Sequence, residues 1–181
     1  KHAAMPSRMN QMSRIPTQRE AFFNPETFAA TFLKIQDKRL RLIPLRYNKT
    51  QLAYLQNRTR RDLILKARQQ GFTTFIDLIL LDQALFNDNK TCGIIADTRE
   101  NATKIFRNKV RFPYDKLPLG LRTAREIVSD SATELLFGNG SGVSVGTSMR
   151  GGTLQYLHIS EYGKISAKFP EKAKEIGRAH V

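Results

Sequence analysis
Apolar residues recur along this chain in two rhythms. Over residues 73–86 they fall at Phe75, Ile76, Ile79, Leu80 and Ala84, a helical spacing. The stretch 99–110 repeats that spacing with Ala102, Ile105, Phe106 and Val110. Short apolar runs of strand character lie between and around these helices: residues 61–65 (Arg61-Asp62-Leu63-Ile64-Leu65), 91–96 and 154–159. Residues 133–137 and 142–145 read as two further strands across the turn Gly138-Asn139-Gly140-Ser141. Nearer the front, Asn24-Pro25-Glu26 supplies an N-cap, a first-turn proline and a first-turn acid for a helix over 27–35, with Phe28, Phe32 and Leu33 on one side. Residues 41–45 read as extended, and 49–57 as a helix carrying Leu52 and Leu55. Residues 66–71 form a loop, and 112–122, with two prolines and a glycine, form another. The strand–helix–strand–helix order predicts an α/β fold, a mostly parallel sheet flanked by helices with one hairpin inserted. No internal repeat interrupts it.

Composition adds bounds. The 181 residues are 40% hydrophobic and 25% charged, enough for one domain with a sizeable core. There is no apolar run of the roughly 18 residues that a membrane span needs, and the front of the chain lacks the order of a signal peptide. Cys92, the single cysteine, sits in the apolar run Cys92-Gly93-Ile94-Ile95-Ala96 and reads as a buried strand thiol of a reducing cytosol. No Cys/His cluster has metal-ligand spacing. The net charge of +14 attracts polyanions at long range. Charge alone does not separate DNA from RNA, from a membrane surface, or from a solvated basic surface with no specific partner.

The ends read differently from the middle. Residues 1–22 are basic, rich in Ser, Met, Gln and Pro, and are expected to be flexible. The closing Ile176-Gly177-Arg178-Ala179-His180-Val181 resembles the in-frame translation of a sequencing adapter, so 176–181 is expected to be a non-native tail. His180 is therefore not recruited as a ligand or base. The alternative is a genuine helix end with Gly177 near the C-cap.

The most informative segment is Leu63-Ile64-Leu65-Lys66-Ala67-Arg68-Gln69-Gln70-Gly71-Phe72-Thr73-Thr74. A strand leads into a loop that opens a helix at Gly-x-Thr, the arrangement in which backbone N–H groups and a helix N-terminus cradle phosphates. Against the standard loop G-x-x-x-x-G-K-[ST], Gly71 matches the second glycine and Thr73 the hydroxyl that holds magnesium. The lysine position holds Phe72, and the first glycine position holds Lys66. Lys66 thus supplies a cation from the front of the loop, with Arg68 beside it. On spacing alone, a basic strand-to-helix turn fits as well.

Leu154-Gln155-Tyr156-Leu157-His158-Ile159-Ser160-Glu161 is an apolar strand ending in a polar pair. Such a strand delivers an acid to the carboxyl edge of a parallel sheet, where ligands bind. Glu161 there is placed to polarise a water attacking a γ-phosphate. Ser160 can hold a metal-bound water but brings no charge. An unremarkable Ser-Glu at a turn is the plainer alternative. Upstream, the stretch from Ile43 to Gln51 carries a glutamine whose amide could both donate to and accept from an adenine edge; a surface glutamine is the alternative. In Ser148-Met149-Arg150-Gly151-Gly152, glycines leave Arg150 exposed on a loop, to face a neighbouring subunit, solvent or a DNA backbone.

In order and spacing these segments resemble the ATPase domain of bacteriophage large terminase subunits. K-x-R-Q-x-G-x-[ST] is similar to that family's deviant Walker A, in which the lysine moves to the front of the loop. The Ile159-Ser160-Glu161 strand end is similar to its Walker B, except that many relatives have aspartate at the Ser160 position. The stretch around Gln51 resembles the adenine-reading segment of terminases and helicases. The resemblance covers roughly residues 40–175. It implies a P-loop NTPase fold of the ASCE type over 23–175, cut off after the Walker B strand, with the family's nuclease domain absent and the fragment inactive alone.

The implied activity is ATP hydrolysis that drives double-stranded viral DNA into the procapsid. The cofactors would be ATP and Mg²⁺. Gln51, Lys66, Ala67, Arg68, Gln69, Gln70, Gly71, Phe72, Thr73 and Thr74 would bind the nucleotide, and Thr73 and Ser160 the metal. Glu161, Arg68 and Arg150 would be catalytic, with Arg150 acting in trans within a homo-oligomeric ring. The portal protein and the small terminase subunit are implied partners, with no membrane involved, in the cytoplasm of the infected bacterial host. Two other classes stay open. A helicase-like P-loop motor would be expected to carry Asp-Glu at 160–161 and lysine at 72. A non-enzymatic basic nucleic-acid-binding module would need neither the loop nor the acid.

Overall fold
A computed structural model describes residues 24–179 apart from Lys38, Arg68, Arg150 and Gly151. The segment 1–22, His180 and Val181 lie outside the described residues. Asn24 caps helix α1 (Pro25–Phe32), its side-chain oxygen accepting from the N–H groups of Glu26 and Thr27. The helix ends earlier than its apolar spacing predicts. The chain turns extended at Leu33, and Ile35 belongs to strand β1 (Lys34–Gln36), which pairs antiparallel with β2 (Leu42–Pro44). Helix α2 (Lys49–Asn57) carries a reciprocal capping box between Asn48 and Gln51.

Helix α3 (Phe72–Phe86) and strand β3 (Thr91–Ile95) follow the sequence pattern closely. Helix α4 (Arg99–Ile105) then passes into a π turn (Phe106–Arg111) and a short helix α5 (Phe112–Asp115). Pro113 accounts for the change of winding. It has no N–H to give an α-type carbonyl, and its ring would crowd the preceding turn. The chain widens just before it, and the Phe112 N–H reaches back five residues to the Arg107 carbonyl. The loop expected over 112–122 is thus replaced by α5 and α6 (Leu119–Ala124). Both prolines act at helix starts, Pro113 in the first turn of α5 and Pro118 as the N-cap of α6, where a missing N–H costs nothing.

The main sheet has five strands in the order β4-β5-β6-β3-β7, with β4 (Ile127–Asp130), β5 (Glu134–Phe137), β6 (Gly142–Gly146) and β7 (Tyr156–Ile159). β3 runs parallel to both β6 and β7, while β5 pairs antiparallel with β4 and β6. The architecture is therefore α/β with a mixed sheet, and the inserted hairpin is β5–β6. Residues of β3 alternate between faces. Cys92 and Ile94 join the main core, with Leu78, Leu81 and Leu85 of α3 and Phe106 and Val110 of the π turn. Ile95 points to the opposite face, where α7 (Tyr162–Lys168) and α8 (Pro170–Ala179) cover it with Ile165, Ala173 and Ile176. Helices on both faces explain why β3 is an unbroken apolar run. Among the described residues, no helix is long and apolar enough to cross a membrane.

One expected strand is not there. Residues 62–67 have no regular structure, and Leu63 and Leu65 are 88% and 100% exposed. Only Ile64 finds apolar company, beside Phe72, Phe75 and Ile79. An apolar run becomes a strand only when a neighbouring strand completes its ladder of hydrogen bonds. Among the described residues no strand lies beside this one.

Candidate nucleotide site
The three parallel strands set the site. Register pairs Ile95 with Gly146 on one side and with Ile159 on the other, so the carboxyl ends of β6, β3 and β7 lie level. The Ser160 N–H donates to the Ile95 carbonyl at 2.8 Å, bringing Asp97 and Glu161 out side by side at one edge. That edge opens into a cleft of about 320 Å³ whose lining includes Thr73, Asp97, Lys109, Ser160, Glu161 and Lys164. The Gly-x-Thr helix start and the Ser-Glu strand end therefore share one cavity.

Gly71 is the N-cap of α3, with φ +71°, and as a glycine it has no side chain to cap the first turn. The backbone N–H groups of Phe72, Thr73 and Thr74 are thus without intrahelical partners, at the positive end of the helix dipole. The left-handed backbone at Gly71 is the conformation that glycine adopts most readily. The preceding turn is held from α2. Gln51 is buried, its Oε1 accepts from the Asn48 N–H at 2.9 Å, and its Nε2 donates to the Gln70 carbonyl at 3.3 Å. The Gln51 amide therefore braces the loop. Gln69 is also left-handed, at φ +64°.

Phe72 does not enter the cleft. Its ring is 5% exposed and packs edge-on against Tyr54 and Phe75, so only its backbone can serve a ligand. Lys66 and Ala67 lie exposed in the irregular segment, and Thr74 is half-buried in the first turn of α3. Arg68 and Arg150 lie outside the described residues.

On the strand side, Ser160 is buried and Glu161 exposed, and Glu161 has φ +59° as the N-cap of α7. A non-glycine residue in this region is strained, a condition that clusters at functional sites. Two further cleft residues were not singled out from the sequence. Asp97 accepts from Asn101 Nδ2 at 2.6 Å and from the Lys164 ammonium. These contacts, Asn101 first, hold its carboxyl below the usual aspartate value. The bridge to Lys164 ties the end of β3 to the helix that follows Glu161. The signal was present in Ile94-Ile95-Ala96-Asp97, an apolar run ending in an acid just as Ile159-Ser160-Glu161 does. Lys109, carried on the π turn, is half-buried. Burial, and next the nearby Lys66 cation, lower its pKa, while Asp77 and Glu161 oppose the shift.

The oxygen donors of the cleft suit a hard cation, which takes one or two protein ligands and fills its shell with water and phosphate oxygens. Among the described residues, no group of three or more His, Cys, Asp or Glu forms a dedicated metal cage. Comparison with protein-family models and with curated proteins yields no match.

Proposed function
We propose that this chain is a P-loop ATPase domain of the large-terminase kind, which binds Mg·ATP in the cleft and couples its hydrolysis to movement of double-stranded DNA. The observation that carries this reading is the convergence of Thr73, at the uncapped start of α3, with Ser160 and Glu161, at the end of β7, on one cavity. Phosphate oxygens would receive the free N–H groups of residues 72–74, with Lys66 supplying charge from the loop. Thr73 and Ser160 would hold Mg²⁺, directly or through water, and the ion would neutralise charge on the phosphates. Glu161 would orient the attacking water and take its proton. Adenine would use the hydrogen-bonding capacity that the Gln51 amide retains beyond its contacts with Asn48 and Gln70. Arg68 and Arg150 keep the roles that the resemblance gives them, Arg150 across a subunit boundary in a ring. The net charge of +14 supports a DNA backbone as the track. The portal protein and small terminase subunit belong to the same proposal, as does the cytoplasm of an infected bacterium.

The test is a calorimetric titration with Mg·ATP, joined to a phosphate-release assay. Lys66→Ala is expected to weaken binding by about tenfold or more, the loss of one charge-assisted contact. Glu161→Gln should bind ATP as the wild type does and turn it over about 10²–10⁴-fold more slowly. With turnover by the wild type established, in a chain extended to the full ATPase domain, an equal rate in Glu161→Gln removes Glu161 from the chemistry.

A further inference from the structure
A phosphate loop with phenylalanine in place of its lysine lacks a cation where the helix begins. The Phe72 ring is turned into an aromatic cluster with Tyr54 and Phe75, which leaves room at the helix start for a cation from elsewhere in the fold. Three lysines line the cleft, and two are committed. Lys104 pairs with Glu100 at 2.5 Å, and Lys164 with Asp97. Lys109 makes no hydrogen bond or ion pair with a described side chain, although it shares the cavity with Thr73, Ser160 and Glu161.

We propose that Lys109 is a phosphate-contacting cation of this cleft, supplying from the π turn the charge that the loop lacks at position 72. The proposal rests on the nucleotide reading above and names a residue for it that no loop motif contains. Lys109 stands eight residues after Asn101 and four after Ile105, so the face of α4 that lines the cleft continues through Asn108 and Lys109 into the π turn.

Its surroundings fit a ligand better than a structural ion pair. Asp77 is fully buried, and its attraction to Lys109 acts without a salt bridge between them. Glu161 also attracts it without pairing, and Lys66 repels it. A half-buried lysine that lines the cleft near two acids, bonded to neither, gains from an anion that enters the cleft beside it. A triphosphate is such an anion.

The experiment compares wild type, Lys109→Gln and Lys109→Arg by titration with Mg·ATP, tripolyphosphate, adenosine and duplex DNA, with circular dichroism melts as the check on folding. Lys109→Gln should weaken ATP and tripolyphosphate binding by about tenfold or more and leave adenosine binding unchanged. Lys109→Arg, which keeps the charge, should recover most of the loss. ATP affinity unchanged in Lys109→Gln overturns the proposal, and so does a loss confined to duplex DNA or shared equally by adenosine. If both variants melt early, tripolyphosphate protection of Lys109→Arg decides, its absence counting against the proposal. Wild type that binds neither ATP nor tripolyphosphate overturns the nucleotide reading and this inference together. Wild-type binding that Lys109→Gln leaves intact overturns the role of Lys109 alone.

Discussion

His158 of β7 and Asp77 of α3 meet at 2.6 Å, Nδ1 to Oδ1, and so fasten the strand that ends in Ser160-Glu161 to the helix that begins after Gly71. The second Asp77 oxygen has no hydrogen-bond partner among the described residues, so the His158 contact is what compensates this buried carboxyl. Removing either partner strands the other. His158→Ala and Asp77→Ala are each expected to lower unfolding free energy by about 1–3 kcal/mol in urea denaturation. The double variant should lose less than the sum of the two, because the pair acts as a unit. Strict additivity would mean that the two walls of the cleft are held by something else.

Asp82 gives the fold a pH dependence of known sign. It lies in a small recess with Tyr47, Leu55, Arg58 and Ile79, and burial pushes its carboxyl up to about 6, with Arg58 opposing. In the unfolded chain it titrates near 3.8. Between these values the folded state holds a proton that the unfolded state has released. Stability from this group therefore falls as pH rises from about 4 to about 6, and the penalty is complete above that. Asp82→Asn should be more stable than wild type at pH 7, by about 3 kcal/mol at the scale of 1.4 per pH unit. The gap should close as pH drops below 4. Thermal melts across this range measure it, and a gap independent of pH contradicts the assignment.

Gly71 tests how tightly the loop is braced. A β-carbon there would stand 3.2 Å from Gln51 Nε2, the atom that holds the Gln70 carbonyl, on a backbone with φ +71°. Gly71→Ala should cost about 1–2 kcal/mol in chemical denaturation, from left-handed strain and a displaced amide together. An unchanged midpoint would show that the loop relaxes freely at this position.

What the sequence revealed depended on how local the cause was. Helix α3, strand β3 and the β5–β6 hairpin are written in periodicity, turn residues and burial, all of which act over a few positions. The cap at Asn24 follows from a side chain bonding to adjacent backbone, whereas the Asn48–Gln51 capping box was not read from the sequence. The run Leu63–Leu65 was misread because a strand is defined by its neighbour, and its own residues do not reveal whether one exists. Pro113 and Pro118 looked like breakers because a proline interrupts a helix interior but suits its first turn. Strand β4 was missed because only Ile127 of its residues is even half-buried, so it shows no alternation. In the site, Gly71, Thr73 and Glu161 were legible as motif. Lys109 was not, since it belongs to no loop motif and comes beside Thr73 and Glu161 only through packing of segments far apart in the chain.

Glu161 reaches the cleft from a backbone that any stability-driven redesign would reject. Its φ of +59° is one that glycine or asparagine holds with little strain and glutamate holds at roughly 1 kcal/mol. A library screened only for heat resistance would therefore be drawn to position 161, and the substitutions it favoured would discard the acid. On the role proposed for Glu161, robustness and chemistry pull against each other at this residue, and engineering of the domain would hold it fixed and seek its gains elsewhere.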